Sequence, residues 1–342
     1  MRATQSLDAA LDAHAANPEL PMILAGLWDR DGTRYLGARG LLDRQSGEAA
    51  TVEARFALAS MTKPLATVAV LQQVEAGVLD LQAPMTAYLP DRPLEVLTRD
   101  GAGTLGRQAP KRAPTLHELL THTSGFSYEF FDGTLLAAVQ AGDVPSLFAD
   151  PIGGLQAPLV FEPGEAWGYG IGIDIAGQIL ETALGKKLDA ILAEHIFAPL
   201  GMTRTSFDPD AEGMAKVHVT VGDALQGLPP APLAVTPMTS VLPAMSQDSD
   251  MGFGSEASWG YGFLRHEGPG SNGRQAGSLS WAGLFNSYFW LDPTQGLAGV
   301  WATQRLPFCH PTAIAGLEAF GRAAYSAELR FSSTARPVKL SD

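Results

Sequence analysis

The hydrophobic pattern near the N-terminus predicts a helix followed by a β-hairpin. Apolar residues recur with helical spacing over 6–15. Two apolar segments, MILAGLWD at 22–29 and TRYLGARG at 33–40, then flank the dipeptide Asp31-Gly32. An Asp-Gly pair between two such segments is a strong signal for antiparallel strands joined by a tight turn.

The middle of the chain has a different pattern. An apolar segment at 65–76 predicts a buried helix, which Gly77 is suited to end in a left-handed conformation. From about residue 80 to 250, short helical patterns alternate with loops rich in Pro and Gly. One of these helices begins with a capping box between Thr115 and Glu118. Further helices are predicted at 172–184 and 188–199, and residues 208–250 are predicted to be mostly loop.

The last third returns to strand patterns. The segments FNSYFWLD at 285–292 and LAGVWATQ at 297–304 flank a turn-rich linker, and a closing helix is predicted at about 311–327. Strands at both ends and helices between them predict an α+β fold, in which an antiparallel sheet flanked by helices is built from both termini and carries a mostly helical inserted domain. The predicted sheet domain comprises 1–80 and 255–342, and the predicted insertion comprises 81–254.

Composition narrows the class of protein. The chain has 342 residues, 46% of them hydrophobic, which is enough for a large core. Its net charge of -13 argues against binding to nucleic acid or to an anionic membrane. No apolar segment is long enough to span a bilayer, and residues 1–20 lack the apolar run of a signal peptide. These features predict a soluble, cytoplasmic protein, and they leave its oligomeric state open.

A single cysteine, Cys309, excludes an intramolecular disulfide. His310 follows it directly, but adjacent side chains on a strand point to opposite faces, so the pair is not expected to form a nucleophile and its base. A buried thiol is the favoured interpretation.

The first candidate for chemistry is the pair Ser60 and Lys63. Residues three apart share one face of a helix, and a serine at a helix start has unpaired backbone N–H donors and the positive end of the helix dipole beside it. Serine is a weak nucleophile without a base. A lysine desolvated among Leu58, Met61 and Leu65 is expected to lose its proton near neutral pH and to supply that base. Taken alone, Ser60 is equally well explained as a helix N-cap.

Two further elements are candidates for the same site. Tyr169 follows the turn-rich sequence E-P-G-E-A-W-G and stands near the start of a predicted helix, where a phenolate would be stabilised. Trp281, Ala282 and Gly283 precede a strand, and small residues there allow a ligand to approach the backbone. A backbone N–H at this point is suited to an oxyanion hole. Each element alone also fits a packed aromatic or an ordinary strand start.

Together these elements resemble the class C β-lactamase-like superfamily, and especially its family VIII carboxylesterases. The resemblance covers roughly residues 7–330. Its segments are S-M-T-K-P at 60–64, L-L-T-H-T-S-G-F at 119–126, E-P-G-E at 162–165, W-G-Y-G-I-G-I-D-I-A-G at 167–177, P-L-G-M-T at 199–203, W-A-G at 281–283 and F-W-L-D-P at 289–293. The order and spacing of so many segments make it far more specific than any single motif.

The resemblance implies a role for each matched residue. Ser60 would be the acylated nucleophile, and Lys63 and Tyr169 would share proton removal and return. The backbone N–H groups of Ser60 and Leu284 would form the oxyanion hole. The segment 281–283 stands where lactamases have Lys-Thr-Gly and the esterases often have Trp-Gly-Gly.

Two departures from the lactamase pattern favour ester substrates. Lactamases carry Tyr-x-Asn, but here the third position is Ile171, whose side chain donates no hydrogen bond. Trp281 replaces the lysine that attracts the β-lactam carboxylate, and it suggests an apolar acyl or alcohol site. The predicted substrate-binding residues are therefore Ile171, Trp281, Ala282 and Gly283.

The predicted function is a serine carboxylesterase that hydrolyses small, short-chain esters through an acyl-enzyme on Ser60, with no metal and no cofactor. One alternative keeps the machinery and makes the protein an acyltransferase, a weak β-lactamase or a D-alanyl peptidase. Another class of alternative is a non-catalytic ligand-binding module. The sequence has no G-x-S-x-G elbow, H-E-x-x-H motif or phosphate-binding loop. His117 and His122 do not share a helix face, so they are not expected to bind a metal together. His122 is expected to be structural. Asp174 is interpreted as a helix-surface or supporting acid.

Overall fold

The computed structural model describes residues 2–208, 212–221, 224–227 and 257–326. The strands are β1 (Met22–Asp29), β2 (Gly32–Asp43), β3 (Glu48–Ala49), β4 (Val96–Arg99), β5 (Leu105–Gln108), β6 (His218–Val221), β7 (Ala224–Gly227), β8 (Ala257–Trp259), β9 (Leu264–His266), β10 (Leu279–Gly283), β11 (Ser287–Asp292) and β12 (Leu297–Ala302). The helices are α1 (Arg2–Ala15), α2 (Lys63–Glu75), α3 (Leu116–Thr121), α4 (Gly133–Gln140), α5 (Pro151–Gly154), α6 (Gly172–Leu184), α7 (Leu188–Leu192) and α8 (Pro311–Ala324). Single 3₁₀ turns lie at Ala59–Thr62 and Met85–Ala87, and a π-helical turn spans Ala193–Phe197.

An antiparallel sheet with the strand order β3-β2-β1-β12-β11-β10-β9-β8 organises the fold. The N-terminal hairpin β1–β2 joins the C-terminal strands through β1 and β12, where Gly26 lies opposite Val300. The predicted α+β class, with a sheet built from both ends of the chain, is therefore confirmed. The finer prediction of domains at 1–80 with 255–342, and at 81–254, stays a prediction.

Two helices from opposite ends of the chain cover one face of the sheet. Leu7 and Leu11 of α1 and Phe320 of α8 are buried in one cluster with Trp290 and Trp301 of the sheet. Burial of such large apolar side chains contributes about 1.5–3 kcal/mol each. This face therefore holds the termini and the sheet together.

A second apolar cluster lies among the helices of the central segment. It includes Val70 of α2, Leu119 of α3, Ile179 of α6 and Leu192 of α7. The predicted helix over 172–184 is confirmed as α6, and the one predicted over 65–76 is α2, which begins two residues earlier and ends one residue earlier. The capping box is also confirmed, since Thr115 accepts from the backbone N–H of Glu118.

One sequence prediction needs correction in this region. The predicted single helix over 188–199 is α7 followed by a π-helical turn, so its hydrogen-bond pattern changes halfway. Within 208–250, which is predicted to be mostly loop, the short antiparallel strands β6 and β7 are not predicted, because each is only four residues long and therefore weak as a pattern. The remainder of 208–250, apart from 212–221 and 224–227, lies outside the described residues. Within the described residues, no helix combines the length and apolar character needed to cross a membrane.

The capping box at α3 predicts a measurable loss of stability. Thr115→Ala removes the side-chain acceptor for the N–H of Glu118, and we expect it to lower the free energy of unfolding by about 1 kcal/mol. Chemical denaturation followed by circular dichroism measures this difference. Thr203→Ala, at an exposed threonine outside the helices, is the matched control and should unfold like the wild type. Equal stability of the two variants would contradict the role of the cap.

Candidate active site

Ser60 lies in the 3₁₀ turn that leads into α2. The residue before it, Ala59, has φ of 47°, a left-handed conformation that costs a non-glycine residue about 1–2 kcal/mol. Ser60 itself is half-buried, and its hydroxyl makes no hydrogen bond within the described residues. Backbone strain at Ala59, beside a serine hydroxyl without a hydrogen-bond partner in the described residues, is typical of a functional position.

The end of β10 lies directly against this turn. A Cβ on Gly283 would lie 2.4 Å from the carbonyl oxygen of Leu58, so only glycine allows the two backbones to approach this closely. Neither Ser60 nor Leu284 donates its N–H to a backbone carbonyl in the described turns and loops. The end of β10 therefore brings the N–H of Leu284, which has no backbone acceptor in these turns and loops, to the region of Ser60.

Lys63, the first residue of α2, is buried and held by two oxygen atoms. Its Nζ donates a hydrogen bond of 2.8 Å to Oη of Tyr128. Tyr128 in turn donates one of 3.1 Å to Oδ2 of Asp174, and that carboxylate oxygen lies 3.6 Å from Nζ of Lys63. The three residues form a closed triangle between α2, α6 and the loop that follows α3.

This triangle overturns the expectation that Lys63 loses its proton near neutral pH. Burial on its own would lower the pKa of Lys63, but the carboxylate of Asp174 and the flanking tyrosines outweigh burial and hold that pKa well above its ordinary value. Asp174 is not visible in the sequence as a partner of Lys63, because the pairing depends on how α2 and α6 pack. Lys63 is therefore an ammonium at neutral pH.

Tyr169 is buried beside the same ammonium. Nζ of Lys63 lies 5.4 Å from the centre of the Tyr169 ring. Oη of Tyr169 accepts a hydrogen bond of 3.1 Å from the indole N–H of Trp281 on β10. A phenol oxygen that receives an N–H and faces an ammonium is prepared to carry negative charge. The structure thus brings Lys63, Tyr169 and Trp281 together. Lys63 itself lies three residues after Ser60 in the chain.

The predicted substrate-binding residues are all buried. Ile171 is 1% exposed and lies in the apolar cluster among the helices, and its role at the substrate site stays a prediction. Trp281 and Ala282 are each 3% exposed, and the indole of Trp281 is engaged with Tyr169 instead of facing an open site. Gly283 serves the close contact with Leu58 described above.

Aromatic residues that the sequence prediction omits lie next to Tyr128. The ring of Phe130 stacks on Tyr128 with centroids 5.0 Å apart, and it also contacts Phe131 and Phe148. These three phenylalanines are half-buried, and Phe130 and Phe148 belong to the same apolar cluster as Leu284. The dense aromatic segment F-S-Y-E-F-F at 126–131 is the sequence signal that could have found them.

His122 lies inside an aromatic cluster, with ring centroids 4.6 Å from Tyr169 and 4.9 Å from Trp259. Burial and the nearby charge of Lys63 hold its pKa well below the ordinary value, so it is neutral. His117 contacts Oη of Tyr261 at 2.7 Å. In the described ranges, no group of three or more His, Cys, Asp or Glu side chains lies close enough to hold a metal ion.

The arrangement around Lys63, set against this sheet, is that of a β-lactamase-like serine hydrolase. The sequence model of the Beta-lactamase family matches residues 7–241, and the chain belongs to that family. Its sequence is 28% identical to esterase EstB of Burkholderia gladioli, over 85% of this chain and 88% of the esterase. It is also 37% identical to monacolin J acid methylbutanoyltransferase of Aspergillus terreus, over 51% of this chain and 44% of the transferase.

Solved structures share the architecture over nearly the whole chain. Unliganded simvastatin synthase (LovD) from Aspergillus terreus superposes with a TM-score of 0.80 and 25% identity, covering 96% of this chain and 99% of the synthase. EstCE1, described as a hydrolase with promiscuous acyltransferase activity, superposes with a TM-score of 0.74 at 18% identity, covering 95% and 98%. At 18% identity, the superposition on EstCE1 establishes the fold alone.

The Trp281–Tyr169 contact predicts a loss of turnover. Trp281→Phe keeps an aromatic ring but removes the N–H that Oη of Tyr169 accepts, and we expect kcat for a p-nitrophenyl ester to fall about tenfold. Trp259→Phe is the matched control, because its N–H donates to the carbonyl of Leu120 instead. Equal effects of the two substitutions would contradict a specific role for the Trp281 N–H.

Cys309 predicts insensitivity to thiol reagents. Burial raises its pKa to about 11, so about one thiol in a thousand is ionised at pH 8. We expect iodoacetamide to modify it slowly at that pH, and Cys309→Ser to keep ester-hydrolysing activity. Mass spectrometry of the intact protein and a p-nitrophenyl ester assay measure both outcomes. Loss of activity in Cys309→Ser with unchanged thermal stability would contradict the prediction.

Proposed function

We propose that this protein is a serine carboxylesterase that hydrolyses small, short-chain esters through an acyl-enzyme on Ser60. The observation that carries the proposal is the buried ammonium of Lys63 beside the hydrogen-bonded phenol of Tyr169. Lys63 lies three residues after Ser60, whose hydroxyl makes no hydrogen bond to the described part of the chain. The match to an esterase over most of both chains supports the same reaction class.

In the proposed acylation step, the pair of Lys63 and Tyr169 takes the proton from Ser60. Because Lys63 carries a positive charge, Tyr169 is the member of the pair that accepts the proton. Its phenol first loses its own proton to solvent, and the resulting phenolate, stabilised by the ammonium and by the N–H of Trp281, takes the proton of Ser60. Ser60 then attacks the ester carbonyl carbon. Tyr169 returns the proton to the departing alcohol, and water releases the acyl group by the same steps.

The oxyanion of the tetrahedral intermediate is assigned to the backbone N–H groups of Ser60 and Leu284. Both lack a backbone acceptor in the described turns and loops, and the contact of Gly283 with Leu58 holds their two segments together. Two fixed donors in a site shielded from water typically contribute about 3–4 kcal/mol each to the transition state.

Esters fit this site better than β-lactams. The lactamase lysine is replaced by Trp281, whose indole N–H is engaged with Tyr169 and offers no charge to a substrate carboxylate. The lactamase asparagine is replaced by Ile171, which is buried. The half-buried rings of Phe130, Phe131 and Phe148 supply an apolar wall suited to the acyl or alcohol group of a neutral ester.

Acyl transfer is the second candidate function. Its support is the match to monacolin J acid methylbutanoyltransferase and the superposition on LovD. A transferase would use the same acyl-enzyme but would accept an alcohol or amine in place of water. The product formed in the presence of a competing acceptor therefore separates the two functions.

The proposal predicts that three substitutions abolish turnover. Wild type is expected to hydrolyse p-nitrophenyl butyrate at neutral to alkaline pH, and Ser60→Ala is expected to have no activity above background. Lys63→Ala and Tyr169→Phe should each lower kcat/KM by about 100-fold or more, because each removes part of the proton-transfer pair. Spectrophotometric assays measure these rates, and circular dichroism confirms that each variant is folded.

Further measurements separate the alternatives. A fluorophosphonate should add to Ser60 in the wild type, as read by peptide mass spectrometry, whereas a non-catalytic binding module would not react. Added alcohols should leave hydrolysis as the main route, and an ester of the added alcohol as the main product would favour the transferase. Near wild-type turnover in Lys63→Ala or Tyr169→Phe would overturn the assigned roles.

A further inference from the structure

Of the triangle around Lys63, the proposed reaction uses neither Tyr128 nor the charged residue Asp174. Asp174 lies in the first turn of α6, where the helix dipole favours a carboxylate. Its side chain is 41% exposed, whereas that of Lys63 is 8% exposed. The buried ammonium of Lys63 is therefore paired with a carboxylate that solvent can reach.

We propose that Asp174, acting through Tyr128, is a positioning residue that fixes the ammonium of Lys63 and thereby sets the pH at which Ser60 becomes reactive. This proposal deepens the function proposed above and rests on it. Tyr128 links the two charges, since it accepts from Lys63 and donates to Asp174. The carboxylate thus stabilises the positive charge of Lys63 and fixes the orientation of its side chain.

Four titratable side chains face Lys63 from the elements packed around it. They are His122 at the end of α3, Tyr128 in the loop that follows, Tyr169 before α6 and Asp174 on α6. The histidine is neutral because its pKa is held low, and tyrosines are ordinarily neutral at pH 7. Of these four groups, Asp174 alone supplies a full negative charge.

The sign of the effect follows from these charges. Removal of the carboxylate leaves burial as the main influence on Lys63, and burial lowers the pKa of that ammonium. The pair of Lys63 and Tyr169 would then release a proton at lower pH. Ser60 would become reactive at lower pH as well, whichever member of the pair receives its proton.

The closing experiment measures how fast a fluorophosphonate inactivates the enzyme as a function of pH. The second-order rate constant reports the reactivity of Ser60 without requiring turnover. In Asp174→Asn we expect the midpoint of its acid limb to fall by about one pH unit or more, which is about a tenfold faster reaction on that limb. Asp174→Glu should return the midpoint towards the wild-type value, because it restores the charge.

Glu181→Gln is the matched control, since it removes one negative charge from the same helix about two turns away. Its midpoint should coincide with the wild type. Tyr128→Phe keeps the carboxylate but removes the hydroxyl, so we expect a smaller shift of the midpoint and an approximately tenfold lower limiting rate.

Each outcome bears on a different statement. A midpoint in Asp174→Asn that is unchanged or higher, in a folded variant, would overturn the proposal. A shift of equal size in Glu181→Gln would also overturn it, because the effect would then arise from net charge alone. Failure of the wild type to react at Ser60 would instead overturn the proposed function.

Discussion

The burial of one ammonium group shapes the rest of this structure. A charge removed from water is costly unless it is paired and hydrogen-bonded, and Lys63 meets both needs at once. Tyr128 receives its hydrogen bond and Asp174 supplies the opposite charge. Because these partners come from a loop and from α6, the packing of α2 against α6 has to be accurate for the cation to be tolerated. The apolar cluster that includes Val70 and Ile179 provides that packing.

The sheet contributes to the same site from the other side. β10 carries Trp281 into contact with Tyr169 and places Gly283 against the carbonyl of Leu58. The left-handed conformation of Ala59 is held between these packed neighbours. The serine turn, the lysine and the tyrosine therefore depend on two layers of the molecule, joined through a strand that begins in the sheet and ends at the site.

The sequence relatives of this chain include an esterase and an acyltransferase. In the mechanism proposed above, hydrolysis and acyl transfer begin with the same acyl-enzyme and differ in the nucleophile that releases it. The residues around Lys63 would serve the shared first step, since they are assigned to the proton of Ser60. The half-buried side chains of Phe130 and Phe148 pack in the same apolar cluster as Leu284, and we expect them to influence which acceptor reaches the acyl group.

The sequence by itself determined the α+β class, the N-terminal hairpin, the capping box at Thr115 and the family, because these depend on local spacing and on motif order. Only the tertiary structure decided what surrounds Lys63. Asp174 is more than a hundred residues away along the chain, so its charge reaches the lysine only after α2 and α6 pack, and this reverses the protonation state expected from apolar neighbours alone. Packing likewise placed Ile171 in the apolar cluster among the helices and the indole of Trp281 against Tyr169, since a one-dimensional pattern does not report which residues a side chain packs against.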